Sequence, residues 1–122
     1  MTSDKNTSIR ELRERVKDFI EHRDWSKYHN PKDVAISIAL EAAELLENFQ
    51  WIKESEIENI TRNPKKLAAL EDELADVLIY CISLANVLKT DIADTITKKI
   101  EKNIAKYPVE KVKGNYKKYT EL

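Results

Sequence analysis

Glycine occurs once in the 122 residues, at Gly114, and the three prolines, Pro31, Pro64 and Pro108, fall between periodic segments rather than inside them. A chain so poor in the residues that make tight turns cannot supply the hairpins of a β-sandwich or barrel, which leaves long helices joined by few connections. The apolar spacing agrees. Ser8 heads a capping box with Glu11, and Ile9, Leu12, Val16, Phe19 and Ile20 recur at helical intervals to about Arg23. Asn30-Pro31 supplies an N-cap and a proline at the first helical position, opening a second helix that runs to about Trp51; Asn63-Pro64 repeats the signal for a third, ending near Leu88. Asp91 caps a fourth, with Ile92, Ile96, Ile100 and Ile104 as its stripe and Pro108 at its end. Residues 53–62 fit a short helix or a loop, and the tail from about 109 to 122 is polar and basic. The expectation is an all-α bundle of four main helices in a single domain, 1–122, because 14.2 kDa is too little to hold two cores.

Two pairs of carboxylates interrupt the apolar stretches: Glu41 with Glu44, and Glu73 with Asp76. Between Leu74 and Leu88 the only formal charge is Asp76, and a lone carboxylate in such company costs several kcal/mol unless something pairs with it. Residues three apart lie on one side of a helix, so two such helices can aim four carboxylates at one point. Oxygen donors without His or Cys suit a hard divalent cation, Mg²⁺ or Mn²⁺. A di-iron bundle would need Glu-x-x-His pairs, yet the residues at that offset are Glu44, Glu47 and Asp76, and His22 and His29 lie outside both motifs. Glu47 points farthest from the main apolar face, a position that suits a solvated surface residue as well as it suits a role at the site.

The second helix is apolar on more than one side, with Ala35, Ile38, Ala39, Ala42, Leu45, Leu46 and Phe49 on one face and Ile36, Leu40 and Ala43 behind it. A chain of this length cannot cover all of that alone, which points to self-association. A net charge of −1 gives no global case for binding nucleic-acid polymers or an anionic membrane. The N-terminus has no apolar leader segment and the longest apolar run, Val77 to Ile82, is too short to span a bilayer, so a soluble cytoplasmic protein is expected. Cys81, the single cysteine, cannot form an internal disulfide and is expected to pack as a small hydrophobe.

The ordered set Glu41-x-x-Glu44, Glu73-x-x-Asp76, RDW-x-x-x-H-x-P from Arg23 to Pro31, FQW at Phe49 to Trp51, DELADVLIY at Asp72 to Tyr80, K-x-x-x-N-x-x-x-YP from Lys99 to Pro108 and the closing KYTEL resembles the all-α nucleoside triphosphate pyrophosphohydrolases of the MazG-like group, in particular their dCTP pyrophosphatase branch. The resemblance covers nearly the whole chain. It implies hydrolysis of a deoxynucleoside triphosphate, dCTP or a modified relative, to the monophosphate and pyrophosphate, a house-cleaning reaction on the nucleotide pool. It implies Mg²⁺ on Glu41, Glu44, Glu73 and Asp76, which are the catalytic set, and a homodimer or homotetramer. It also implies substrate contacts from Trp25, His29, Trp51 and Tyr80 around the base, and from Lys99 and Asn103 on the phosphates. Lys106 shares the face of Lys99 and Asn103 but reads as a solvating lysine. Where the animal dCTP enzymes carry a histidine in the first helix, this chain has Val16, which cannot hydrogen-bond a base and leaves room for other pyrimidine nucleotides. Two alternatives share parts of this pattern. A phosphoribosyl-ATP-type pyrophosphohydrolase would use the same carboxylates but has less use for Trp25 and Trp51. A non-catalytic helical interaction module would place its acids in first turns, whereas Glu41 and Glu44 lie about two turns beyond Pro31.

Overall fold

The computed structural model describes residues 1–122 and holds helices and turns but no strand. Helix α1 spans Ile9–His22, α2 Pro31–Glu47, α3 Ile57–Arg62, α4 Pro64–Leu88, α5 Ile92–Lys106 and α6 Val109–Val112, with 3₁₀ turns at Ser26–Tyr28, Glu54–Glu56 and Tyr119–Glu121. The four long helices start where their caps predict. Ser8 Oγ accepts from the Glu11 amide at 3.1 Å, Asn30 Oδ1 from Asp33 at 2.9 Å, Asn63 Oδ1 from Lys65 and Lys66 at 3.0 and 3.1 Å, and Asp91 Oδ1 from Asp94 at 2.8 Å. Each such cap contributes about 1 kcal/mol to its helix. The segment 53–62 resolves into a 3₁₀ turn and α3, whose Ile60 is buried against α4.

One boundary differs from expectation. Helix α2 stops at Glu47 rather than near Trp51, because the Asn48 side-chain amide donates to the carbonyls of Glu44 and Leu45, both at 3.2 Å, and caps the last turn. The chain then turns down to Trp51, whose φ of 66° is left-handed and ends any helical continuation. Helix α4 ends the same way, at Lys89 with φ 56°.

The backbone forms two compact units, Met1–Lys89 and Thr90–Leu122. In the first, α2 packs along α4 in antiparallel fashion. One row of covered positions runs through Val34, Ile38, Glu41 and Leu45 of α2 to Asn48 just past its end, and another through Leu70, Glu73, Val77, Tyr80 and Leu84 of α4. Both sets alternate steps of three and four, the spacing of a coiled-coil seam. This seam is rotated by roughly a quarter turn from the face that counting apolar residues selects on α2. Ala39, Ala42 and Leu46 are exposed, while Ser37 and Glu41 turn inward. Val34 and Ser83, each 2% exposed, close one end of the seam, and burying a valine contributes roughly 1.5–3 kcal/mol. Helix α1 is clamped to the far end of α4: Arg13 donates from Nε to Asn86 Oδ1 at 2.9 Å and from Nη2 to the Ala85 carbonyl at 3.3 Å, and Asn86 returns a bond to the Arg13 carbonyl at 3.2 Å.

Cys81 is exposed, not packed, because it falls with Leu74 and Leu78 on a flank of α4 outside the seam. Leu40, Leu46 and Ile36 leave similar apolar area on α2. In the second unit the tail is not featureless: α6 follows α5 directly, Tyr119 packs edge-on to Tyr107 at 6.2 Å, and Lys106 Nζ lies 4.8 Å above the Tyr119 ring. No helix is long and apolar enough to cross a membrane.

Candidate functional site

Glu41 and Glu73 occupy seam positions that an ordinary helix pair would fill with Leu or Val. The antiparallel pairing sets them side by side, and Asp76, one turn along α4 from Glu73, joins from the rim. One carboxylate oxygen of each lies within 4.8 Å of the other two. Oε2 of Glu41 and Oε2 of Glu73 are both buried without a hydrogen-bond partner. Orphaned buried oxygens of this kind cost roughly 1–3 kcal/mol each unless something satisfies them. The ion pairs that the chain forms, such as Lys17 with Glu21 and Lys98 with Asp94, all lie elsewhere and are exposed.

The electrostatics carry the same imprint. Burial raises the Glu41 carboxyl above its ordinary value, and the neighbouring Glu44, within hydrogen-bonding reach, raises it further, followed by the charges of Asp76 and Glu73. Burial also raises Glu73, helped by the charges of Glu44 and Asp76 and more weakly by Glu47. Each cause disfavours a negative charge, and a bound cation would reverse all of them. The donor set is oxygen only, matching Mg²⁺ or Mn²⁺ rather than a soft metal. Glu41, Glu73 and Asp76 therefore fit a divalent cation, with Glu44 alongside. Glu47, which the sequence leaves open between surface and site, lies close enough to Glu73 to repel its charge.

One helical turn from the acids, about 6 Å along each axis, the same two helices border a pocket of about 270 Å³. Its lining is Trp25, Tyr28, His29, Asp33, Val34, Ser37 and Tyr80. Ser37 precedes Glu41 by four residues and Tyr80 follows Asp76 by four, so the pocket and the cluster share one side of the helix pair. Trp25 is held at the end of α1, where Asp24 takes a left-handed φ of 54°, the Trp25 amide donates to the Ile20 carbonyl at 3.0 Å, and its ring meets Phe19 edge-on at 5.8 Å. The Arg23 guanidinium covers the same Phe19 ring at 3.9 Å. His29 lies nearly parallel to Tyr80, with 6.4 Å between centroids, and its Nδ1 contacts the Trp25 carbonyl at 2.8 Å, which leaves Nε2 free.

Of the residues singled out from the sequence, the structure thus brings Glu41, Glu44, Glu73 and Asp76 together and gathers Trp25, His29 and Tyr80 around the pocket. Trp51 stands outside that lining, 91% exposed after the end of α2. Lys99 and Asn103 share one exposed face of α5, in the second unit. Val16 is half-buried on α1 and does not line the pocket. Tyr28, Asp33 and Ser37 were not singled out; the signal available was that Asp33 and Ser37 precede Glu41 by eight and four residues on one helical side.

Paired helices thus bring an acidic cluster that could hold a metal ion beside a pocket lined with aromatic side chains. The comparisons narrow what that arrangement serves. Residues 36–122 match the MazG-like family, and the chain belongs to that family. It is 35% identical to dCTP pyrophosphatase 1 of Rattus norvegicus and 33% identical to that of Homo sapiens, in each case over 94% of this chain and 68% of the relative. A crystal structure of a pyrophosphatase from Archaeoglobus fulgidus superposes with a TM-score of 0.77 at 38% identity, covering 88% of this chain and 99% of that one. The all-α MazG-like fold expected from the sequence is therefore what the chain adopts.

Proposed function

We propose that the protein is a nucleoside triphosphate pyrophosphohydrolase that cleaves dCTP or a related deoxynucleotide to the monophosphate and pyrophosphate. The observation that carries this reading is the pair of buried Oε2 atoms on Glu41 and Glu73, which have only other acids beside them and no hydrogen-bond partner. The names of its relatives supply the reaction class. A nucleoside triphosphate carries about four negative charges, so acids at its phosphates would repel it without a cation between them. Glu41, Glu73 and Asp76, with Glu44 beside them, would hold Mg²⁺ or Mn²⁺, which when bound supplies charge screening and a more acidic water. The protein's own contribution is to fix these acids on two rigid helices, so that little reorganisation accompanies the reaction.

A carboxylate of the cluster takes the proton of the attacking water, and Glu44, beside two acids that resist ionisation, is well placed to share it. Trp25, His29 and Tyr80 bind the base, whose stacking on an aromatic ring is worth roughly 1–3 kcal/mol. Trp51 adds to base binding from the turn after α2, and Lys99 and Asn103 of α5 hold phosphate oxygens. The chain works as a homodimer or homotetramer, in which the exposed apolar rows of α2 and α4 (Ile36, Leu40, Leu74 and Leu78) are covered by a second copy. The experiment is product release from a nucleotide panel with Mg²⁺ and with EDTA, separating pyrophosphate from single phosphate. Metal-dependent pyrophosphate is the expected result; single phosphate, or no turnover by folded protein, overturns the reading.

A further inference from the structure

The base pocket holds two polar side chains with no role in the account so far, Asp33 and Ser37, both on the α2 turns leading to Glu41. Resting on the pyrophosphohydrolase reading, we propose that Asp33 chooses the base: it accepts a hydrogen bond from a ring-borne amine, Ser37 adds a contact that serves either ring, and the site thereby favours aminopyrimidine nucleotides over their oxo counterparts.

Three observations carry this. Asp33 is the third residue of α2 and its Oδ2 accepts from the Asn30 side-chain amide at 2.6 Å, which fixes the carboxylate's orientation at the pocket wall. Oδ1 faces only the Lys32 ammonium, at the outer limit of an ion pair, 3.9 Å. A carboxylate offers about four acceptor sites, so most of its capacity is unspent. Second, Ser37 is half-buried mid-helix and lines the pocket four residues before Glu41. Third, Asp33 is the only carboxylate among the side chains that line the pocket.

The consequence follows from the donor and acceptor patterns of the rings. Cytosine presents an exocyclic amine at the position where uracil and thymine present a carbonyl oxygen. A carboxylate beside that position accepts from the amine and repels the oxygen, whereas a tyrosine, serine or imidazole adapts to either. The pocket, about 270 Å³, is at the small end of ligand sites, which suits one pyrimidine ring. Asp33 remains about half exposed, 49%, so water competes and the discrimination belongs at the lower part of the roughly 5- to 100-fold range of a good polar base contact.

The test measures kcat/KM for dCTP, 5-methyl-dCTP, dUTP and dTTP with Mg²⁺ on the wild type, Asp33→Asn and Ser37→Ala. An amide both donates and accepts, so Asp33→Asn is expected to reduce the cytosine-to-uracil ratio by about tenfold, mainly through KM. The 5-methyl group leaves the ratio unchanged, and Ser37→Ala, which removes a hydroxyl able to serve either base, lowers kcat/KM on all of them alike. An unaltered ratio in folded Asp33→Asn overturns the proposal. So does an equal loss on all bases accompanied by a lower melting temperature, since that is the pattern of a helix cap alone. Should the wild type release pyrophosphate from nothing, the reaction class fails, and base choice is read by calorimetric titration with dCMP and dUMP. Tighter dCMP binding that Asp33→Asn equalises supports the proposal, and equal wild-type affinities overturn it.

Discussion

Replacing Glu41 by glutamine should stabilise the metal-free protein while removing its response to metal. A ligand oxygen of Glu41 has one from Glu73 and one from Asp76 within 4.8 Å, and like charges at that separation repel by about 1 kcal/mol in water and roughly four times that at an effective dielectric of ~20. The site is half open to solvent, so the lower figure applies, giving about 2 kcal/mol from the two neighbours. Glutamine keeps the shape and can donate its amide to an adjacent carboxylate. Some of the repulsion is already relieved by protonation, so the net gain is about 1–2 kcal/mol, or roughly 3–8 °C in Tm for a domain of this size. The assay is calorimetric melting at about pH 8 in EDTA and then in Mg²⁺, because repulsion among the acids grows as pH rises. The wild type should gain stability from Mg²⁺, the variant should not, and the variant's turnover should nearly vanish. A lower Tm for Glu41→Gln in EDTA would show that the carboxylate supports the fold, and retained stabilisation by Mg²⁺ would remove Glu41 from the metal site.

The raised carboxyls of Glu41 and Glu73 set a pH dependence: a proton is held more tightly in the folded state, so their contribution is fully present below the unfolded value, 4.5, and is lost as pH rises through the raised folded values. In EDTA the wild type should therefore lose stability relative to a Glu41→Gln/Glu73→Gln variant as pH climbs; a constant difference between the two melting curves contradicts the assignment. Trp25→Ala should raise KM more than it lowers kcat, as lost stacking does, and Trp51→Ala should do the same with an unchanged Tm, since that ring packs on nothing; a pure kcat loss in either would exclude base binding. Leu78→Glu, on the exposed flank of α4, should shift sedimentation from oligomer to monomer, whereas an oligomer of unchanged size would place the contact elsewhere.

The long helices were legible because caps and prolines are local: Asn30-Pro31 and Asn63-Pro64 act within a few residues of themselves. The end of α2 was not, because the stop is made by the Asn48 side chain folding back, and nothing in the composition of Asn48 to Trp51 distinguishes that from one more turn. The acids stood out because they interrupt apolar runs. Their partners in the pocket did not, since Asp33 reads as an ordinary first-turn acid and Ser37 as a filler until α4 is laid alongside. The same absence explains the misjudged face of α2. Counting hydrophobes centres on the side where they are densest, and here the seam shares Ile38 and Leu45 with that side but also takes in Glu41 and Asn48.

Those seam positions have a consequence for how the two helices find their alignment. An all-leucine seam would tolerate sliding of α4 along α2 by a full turn, since one apolar layer replaces another. With Glu41 on one helix and Glu73 on the other, any such slide faces each acid with a hydrocarbon layer and parts Glu41 from Glu73 and Asp76. The pair acts as a key that a single setting of the lock accepts, much as a lone buried asparagine does in a coiled coil. Mutational drift that replaced both acids with leucine would therefore cost the protein its chemistry and, in the same stroke, its certainty about which layer meets which.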